Sequence, residues 1–96
     1  MNIRMLPVAQ REMLRAATWY DKKSIGTGDR FLDGVRAALV SIKEFPNAAP
    51  GIGEPYRRKL LADFPYGLIF RLDGDTVYIV AVAHLKRRPL YWRRRR

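Results

Sequence analysis

The hydrophobic period of this 96-residue chain changes once, and that change divides it. Up to Phe45 the apolar side chains recur at helical spacing. From Tyr56 onward they alternate or run together as strands do. Residues 46–55 separate the two regimes and hold Pro46, Pro50 and Pro55 with Gly51 and Gly53, a loop composition. A chain so divided is α+β, with its helices grouped and packed on a sheet built mostly from the second half. At this length it makes one domain, residues 1–96.

Within the helical half, Ala9, Met13, Ala16, Ala17 and Tyr20 form one stripe of a helix from Val8 to about Lys23. Pro7 can open that helix at its first turn. Gly26-Thr27-Gly28 breaks it, and Thr27 or Asp29 can cap the next helix. There Phe31, Val35, Ala38, Leu39, Ile42 and Phe45 line one face until Pro46 stops the run. The weak alternation of Asn2–Leu6 predicts a short N-terminal strand. Three more strands are predicted at Tyr56–Leu61, Tyr66–Leu72 and Thr76–His84. Asp73-Gly74 supplies the hairpin turn between the last two. Thr76–His84 is apolar on both faces and reads as a central strand covered on both sides. The order is β-αα-βββ, a helical hairpin on one face of a small twisted, mainly antiparallel sheet.

Charge then narrows the partners. The chain carries 19 Lys+Arg against 9 Asp+Glu, a formal net charge of +10. Residues 57–96 account for +8 of it, and seven bases fall between Lys86 and Arg96. A polyanion is the expected partner, either nucleic acid or an acidic protein segment. There is no cysteine and one histidine, which removes disulfides, thiolate chemistry and a His-built metal site; no metal or cofactor is expected. The N-terminus is too short and mixed for a signal peptide, and no apolar run approaches the length of a membrane span, so a cytoplasmic chain with no membrane partner is expected.

The candidate residues lie in the basic half. Alternation puts Arg57 and Lys59 on one face of their strand and Arg58 with Leu60 on the other. With the helices over Leu60, Arg57 and Lys59 would line the open face, as phosphate contacts or as charges guarding an edge. Arg71 shares a face with Gly67 and Ile69, and pairs with Asp73 or Asp75 or reaches a target. His84 ends the central strand, as a proton shuttle or a hydrogen-bonded strand end. Lys86, Arg87 and Arg88 precede Tyr91 and Trp92, so cations stand beside stacking planes as single-stranded nucleic acid would require. The same aromatics can instead pack the tail on the sheet. Residues 93–96, all arginine, are expected to fray.

The ordered set Trp19-Tyr20, Gly26-x-Gly28-x-Arg30-Phe31, Phe45-Pro46, Tyr56-Arg57-Arg58, Phe64-Pro65-Tyr66, Ile69-Phe70-Arg71, Val80–His84 and Arg87-Arg88-Pro89-x-Tyr91-Trp92 resembles the RelE/ParE superfamily of bacterial toxins. The likeness runs from about residue 6 to 93 and is closer to the ParE-like branch. It implies the toxin of a type II toxin–antitoxin system, of the kind linked to plasmid stabilisation, neutralised by a cognate antitoxin through an acidic extended or helical segment. In the ParE-like branch the target is DNA gyrase and the protein is not an enzyme. In the RelE-like branch it is a ribosome-dependent mRNA interferase, an endoribonuclease; His84, Arg88 and Tyr91 would then be catalytic. Target or nucleic-acid contacts would fall to Arg57, Lys59, Arg71, Lys86, Arg87, Arg88 and Trp92. Tyr66-Gly67 stands where nuclease members commonly carry a basic residue. A basic nucleic-acid-binding domain without toxicity is the third reading.

Overall fold

A computed structural model describes residues 1–95 of the chain. Its elements are β1 (Asn2–Met5), α1 (Pro7–Lys23), α2 (Thr27–Glu44), β2 (Tyr56–Leu60), β3 (Tyr66–Asp73) and β4 (Thr76–His84). The sheet order is β1-β4-β3-β2. β2, β3 and β4 are antiparallel neighbours, while β1 lies parallel to β4. Both helices pack on one face, as the change of period requires.

Pro7 occupies the first turn of α1, where its missing N–H costs no hydrogen bond. Lys22 and Lys23 stand in the last turn, where positive charge suits the helix dipole. Neither Thr27 nor Asp29 caps α2; the residue before it is Gly26, left-handed at φ 90°, with no side chain to offer. Asp21 of α1 does that work across the hairpin, its Oδ1 accepting the Gly28 N–H at 2.6 Å. The helices cross so closely there that a β-carbon on Gly28 would collide with the Ala17 carbonyl oxygen. The stripe of α2 buries Phe31, Val35, Ala38 and Ile42, with Leu39 partly buried. Phe45 falls outside it at the C-cap, 64% exposed.

Facing the helices are Leu68, Phe70, Val77, Ile79 and Val82. At one end Tyr20, Phe31, Phe64 and Tyr66 form an aromatic cluster with ring centroids 4.8–6.2 Å apart. The opposite face of the sheet is covered as well: Ile69, Val80, Ala81 and Ala83 cluster with Trp92 from the C-terminal segment. That explains why β4 is apolar on both sides.

Two irregularities shape the functional region. A bulge interrupts the β3–β4 register, so that Ile69 faces Ala81 while Phe70 faces Ile79, and Val80 has no partner. In addition β1 pairs with β4 only through Ile79, where the Leu6 N–H meets the Ile79 carbonyl at 2.9 Å. Among the described residues, Val80–His84 therefore has no strand on its β1 side.

Candidate interaction site

The chain leaves β4 at His84 through a tight turn. Arg87 N–H donates to the His84 carbonyl at 3.0 Å, and Lys86 N–H donates to His84 Nδ1 at 3.0 Å. The proton of the neutral ring therefore lies on Nε2. Tyr66 meets the imidazole edge-on, 5.0 Å between centroids. Beyond the turn the tail crosses the sheet face, with Leu90 in the left-handed region at φ 62°. Trp92 is 4% exposed and packs against Tyr56 at 4.7 Å.

The tail is then fastened to α1 through one carboxylate. Glu12 accepts from the Tyr91 hydroxyl at 2.7 Å, from Arg95 at 2.7 and 3.0 Å, and from the Val82 N–H at 3.0 Å. Arg95 also donates to the Val80 carbonyl at 3.1 Å. Glu12 and Arg95 thus satisfy two backbone groups on the uncovered edge of β4, the Val82 N–H and the Val80 carbonyl, that a neighbouring strand would otherwise have taken. With side chains only 12% and 20% exposed, this pair is shielded from water. Burial raises the Tyr91 pKa, and the hydrogen bond to Glu12 adds to the rise. Burial opposes the Arg95 charge, but Glu12 outweighs it and the Arg95 pKa is raised.

Residues 93–95 are accordingly not a free end. The expectation of a frayed tail fails at Arg95, because an acid on α1, far away in sequence, meets its guanidinium. Tyr56 also donates a hydrogen bond to the Arg93 carbonyl at 3.3 Å. Arg96 lies outside the described residues.

Two hollows flank the strap. The larger, about 480 Å³, opens between α1 and the ends of β3 and β4 and is lined by Glu12, Arg15, Trp19, Tyr66, His84 and Arg87 among others. The smaller, about 180 Å³, lies on the opposite sheet face and includes Arg58, Ile69, Arg88, Tyr91 and Trp92. Arg87 borders both and stacks over the Tyr91 ring at 3.9 Å.

The structure gathers His84, Arg87, Arg88, Tyr91 and Trp92 around the strap. It does not bring Arg57 and Lys59 there, and the expectation that they line the open face is reversed. Arg57 stands opposite Phe70 and Lys59 opposite Leu68, both helix-facing positions. Arg57 donates to the carbonyls of Asn47 (3.2 Å) and Ala49 (2.7 Å), bracing the loop before β2. Lys59 borders a hollow beside Ser41 and Phe45 of the α2 end. Leu60 is 51% exposed, whereas Leu61, just past the strand, is buried and sets the face. Arg58 is the basic side chain of β2 on the strap side, its stem lying over Gly67. Arg71 lies toward the other end of β3, 3.8 Å from Asp73 and stacked on Tyr78 at 4.5 Å. Lys86 is exposed in the turn. Glu12 and Arg58 were missed: Glu12 meets partners 70 to 83 residues away, and no local spacing marks it.

Residues 3–89 match the ParE toxin family, described as the ParE toxin of the type II toxin–antitoxin system parDE. The chain belongs to the ParE toxin family. Membership implies a cognate antitoxin as partner. The fold is similar to that of a solved structure from the chromosomal ParDE TA system of P. aeruginosa, with a TM-score of 0.66. That likeness spans 88% of this chain and 95% of the other at 16% sequence identity. No curated protein sequence matches. Among the described residues, no ParE helix is long and apolar enough to cross a membrane.

Proposed function

We propose that this ParE-family chain is a toxin held inactive by its cognate antitoxin, and that its target is DNA gyrase rather than ribosome-bound mRNA. The observation that carries the choice of target is the state of Tyr91. Cutting RNA by transesterification needs one group to take the 2′-hydroxyl proton and another to protonate the leaving oxygen. The Tyr91 hydroxyl already donates to Glu12, and its raised pKa makes it a poor acid at neutral pH. His84 Nδ1 is occupied by the Lys86 N–H. Arginine cannot act as the base. Arg57 and Lys59, which would stabilise phosphorane charge, stand on the helix side of the sheet. Family membership supports the toxin class, and the unassembled proton-transfer set supports the non-nuclease branch.

Expression in bacterial cells, with covalent gyrase–DNA adducts and mRNA ends measured in one culture, tests this reading. Adducts with intact mRNA are expected. Codon-linked mRNA cuts without adducts would replace gyrase by the ribosome, with His84→Ala then testing the shuttle. Undisturbed growth with folded protein present would remove the toxin reading altogether.

A further inference from the structure

The 180 Å³ hollow on the strap side of the sheet has buried apolar residues beneath it, Ile69, Ala83 and Trp92. Arg58 borders it from β2, and Arg87 and Arg88 from the turn that begins the strap. Among the described residues its lining includes no carboxylate, and none of these three arginines stands in an ion pair. Glu12, the acid that reaches the strap, is already taken up by Arg95 and Tyr91. Two of the three bases are also held in place. A β-carbon at Gly67 would come within 2.9 Å of Arg58 Cγ, so glycine leaves the room in which the Arg58 stem lies. Arg87 stacks over the Tyr91 ring at 3.9 Å, and Glu12 holds that ring by its hydroxyl. Cations arranged in advance, with no counter-charge beside them, favour an anionic occupant.

We infer that this hollow receives a backbone phosphate of DNA, with Arg58, Arg87 and Arg88 donating to its oxygens. A guanidinium pairs phosphate oxygens two at a time, and several such groups together suit an anion rich in acceptors. The hollow has room for a phosphate group while sugar and base stay outside, so the contact positions a strand without reading its sequence. An acidic peptide fits less well. Extended peptides draw affinity from backbone bonds at a sheet edge, and this hollow lies on a sheet face. The Tyr91 hydroxyl beside it is committed to Glu12, so the site holds a phosphodiester without cutting it. The choice of DNA over RNA rests on the gyrase reading above, in which the toxin meets DNA that the enzyme already holds.

The test uses the full chain and two double variants. Arg58→Ala with Arg88→Ala empties the rim, and Arg30→Ala with Lys43→Ala makes the same charge change on α2. Binding to short duplex DNA is followed by fluorescence anisotropy over a series of salt concentrations. The rim variant is expected to bind at least about tenfold more weakly than the α2 variant, with a salt slope shallower than wild type by about two. In a reaction with gyrase and supercoiled DNA, the rim variant is expected to yield at least about tenfold less toxin-dependent linear DNA. Equal weakening by both double variants would mean a diffuse charge effect and overturn the site. Undiminished linear DNA from the rim variant would remove the hollow from the target contact while the gyrase reading stood. Rim-dependent DNA binding by a wild type that yields no linear DNA would support the phosphate site and overturn the gyrase reading. Rim-dependent binding of inorganic phosphate or of single-stranded RNA, with none of DNA, would overturn the DNA assignment.

Discussion

At the scale of single residues, Glu12 joins the first helix, the uncovered edge of β4 and the C-terminal strap. Removing one partner of a shielded ion pair leaves the other desolvated and unpaired. Glu12→Gln is therefore expected to lower the unfolding free energy by about 2–4 kcal/mol. Arg36→Ala breaks the exposed Asp33–Arg36 pair and should cost less than about 0.5 kcal/mol. Chemical denaturation of the two variants checks the contrast. The Tyr91 pKa is raised above the usual 10.0, so the fold favours the neutral hydroxyl. That contribution is whole below pH 10.0 and declines as pH rises toward the folded-state value. Burial raises the Tyr20 and Tyr66 pKa values as well, so Tyr91→Phe should reduce the alkaline stability loss of the wild type without removing it. Little of this was legible in the sequence. Glu12 sits in α1 between Arg11 and Met13, and its bonds to Tyr91 and Arg95 appear only once the chain has folded.

At the scale of elements, the sequence was far more informative. Both helices, all four strands and the Asp73-Gly74 turn lie within a residue or two of where period and breakers place them. The helix-facing side of β2 was not legible, because alternation gives parity without saying which side is buried. Leu60 and Leu61 offered opposite answers, and Leu61 is the one that reaches the core. The crossing of α1 and α2 depends on Gly28, and Gly28→Ala should destabilise by about 1–3 kcal/mol as the helices are forced apart. The strap depends on Trp92, the largest side chain covering the second sheet face. Trp92→Ala should cost about 3–5 kcal/mol and expose Ile69, Val80 and Ala81. Thermal melts read both, and dye binding reads the exposed face. An unchanged melt for Trp92→Ala would mean that the strap does not cover that face in solution.

At the scale of the whole molecule, the concentration of charge in the second half first suggested nucleic acid. The fold divides that charge among separate tasks. Arg57 braces a loop, Arg71 lies beside Asp73, Arg95 closes the strap, and Arg58, Arg87 and Arg88 border the hollows. The order and spacing of its short segments made the family legible before the structure. The division of charge was not legible, because it follows from which face each strand turns to the helices. We propose that this ParE-family protein acts on gyrase and does not cut RNA. The most direct test incubates the purified chain with gyrase, supercoiled DNA and ATP, then digests the protein and resolves the DNA. Linear DNA that accumulates with added toxin, and disappears when antitoxin is supplied, is the expected result. Unaltered DNA at excess folded protein, with codon-linked cleavage of mRNA on translating ribosomes by the same preparation, would contradict it.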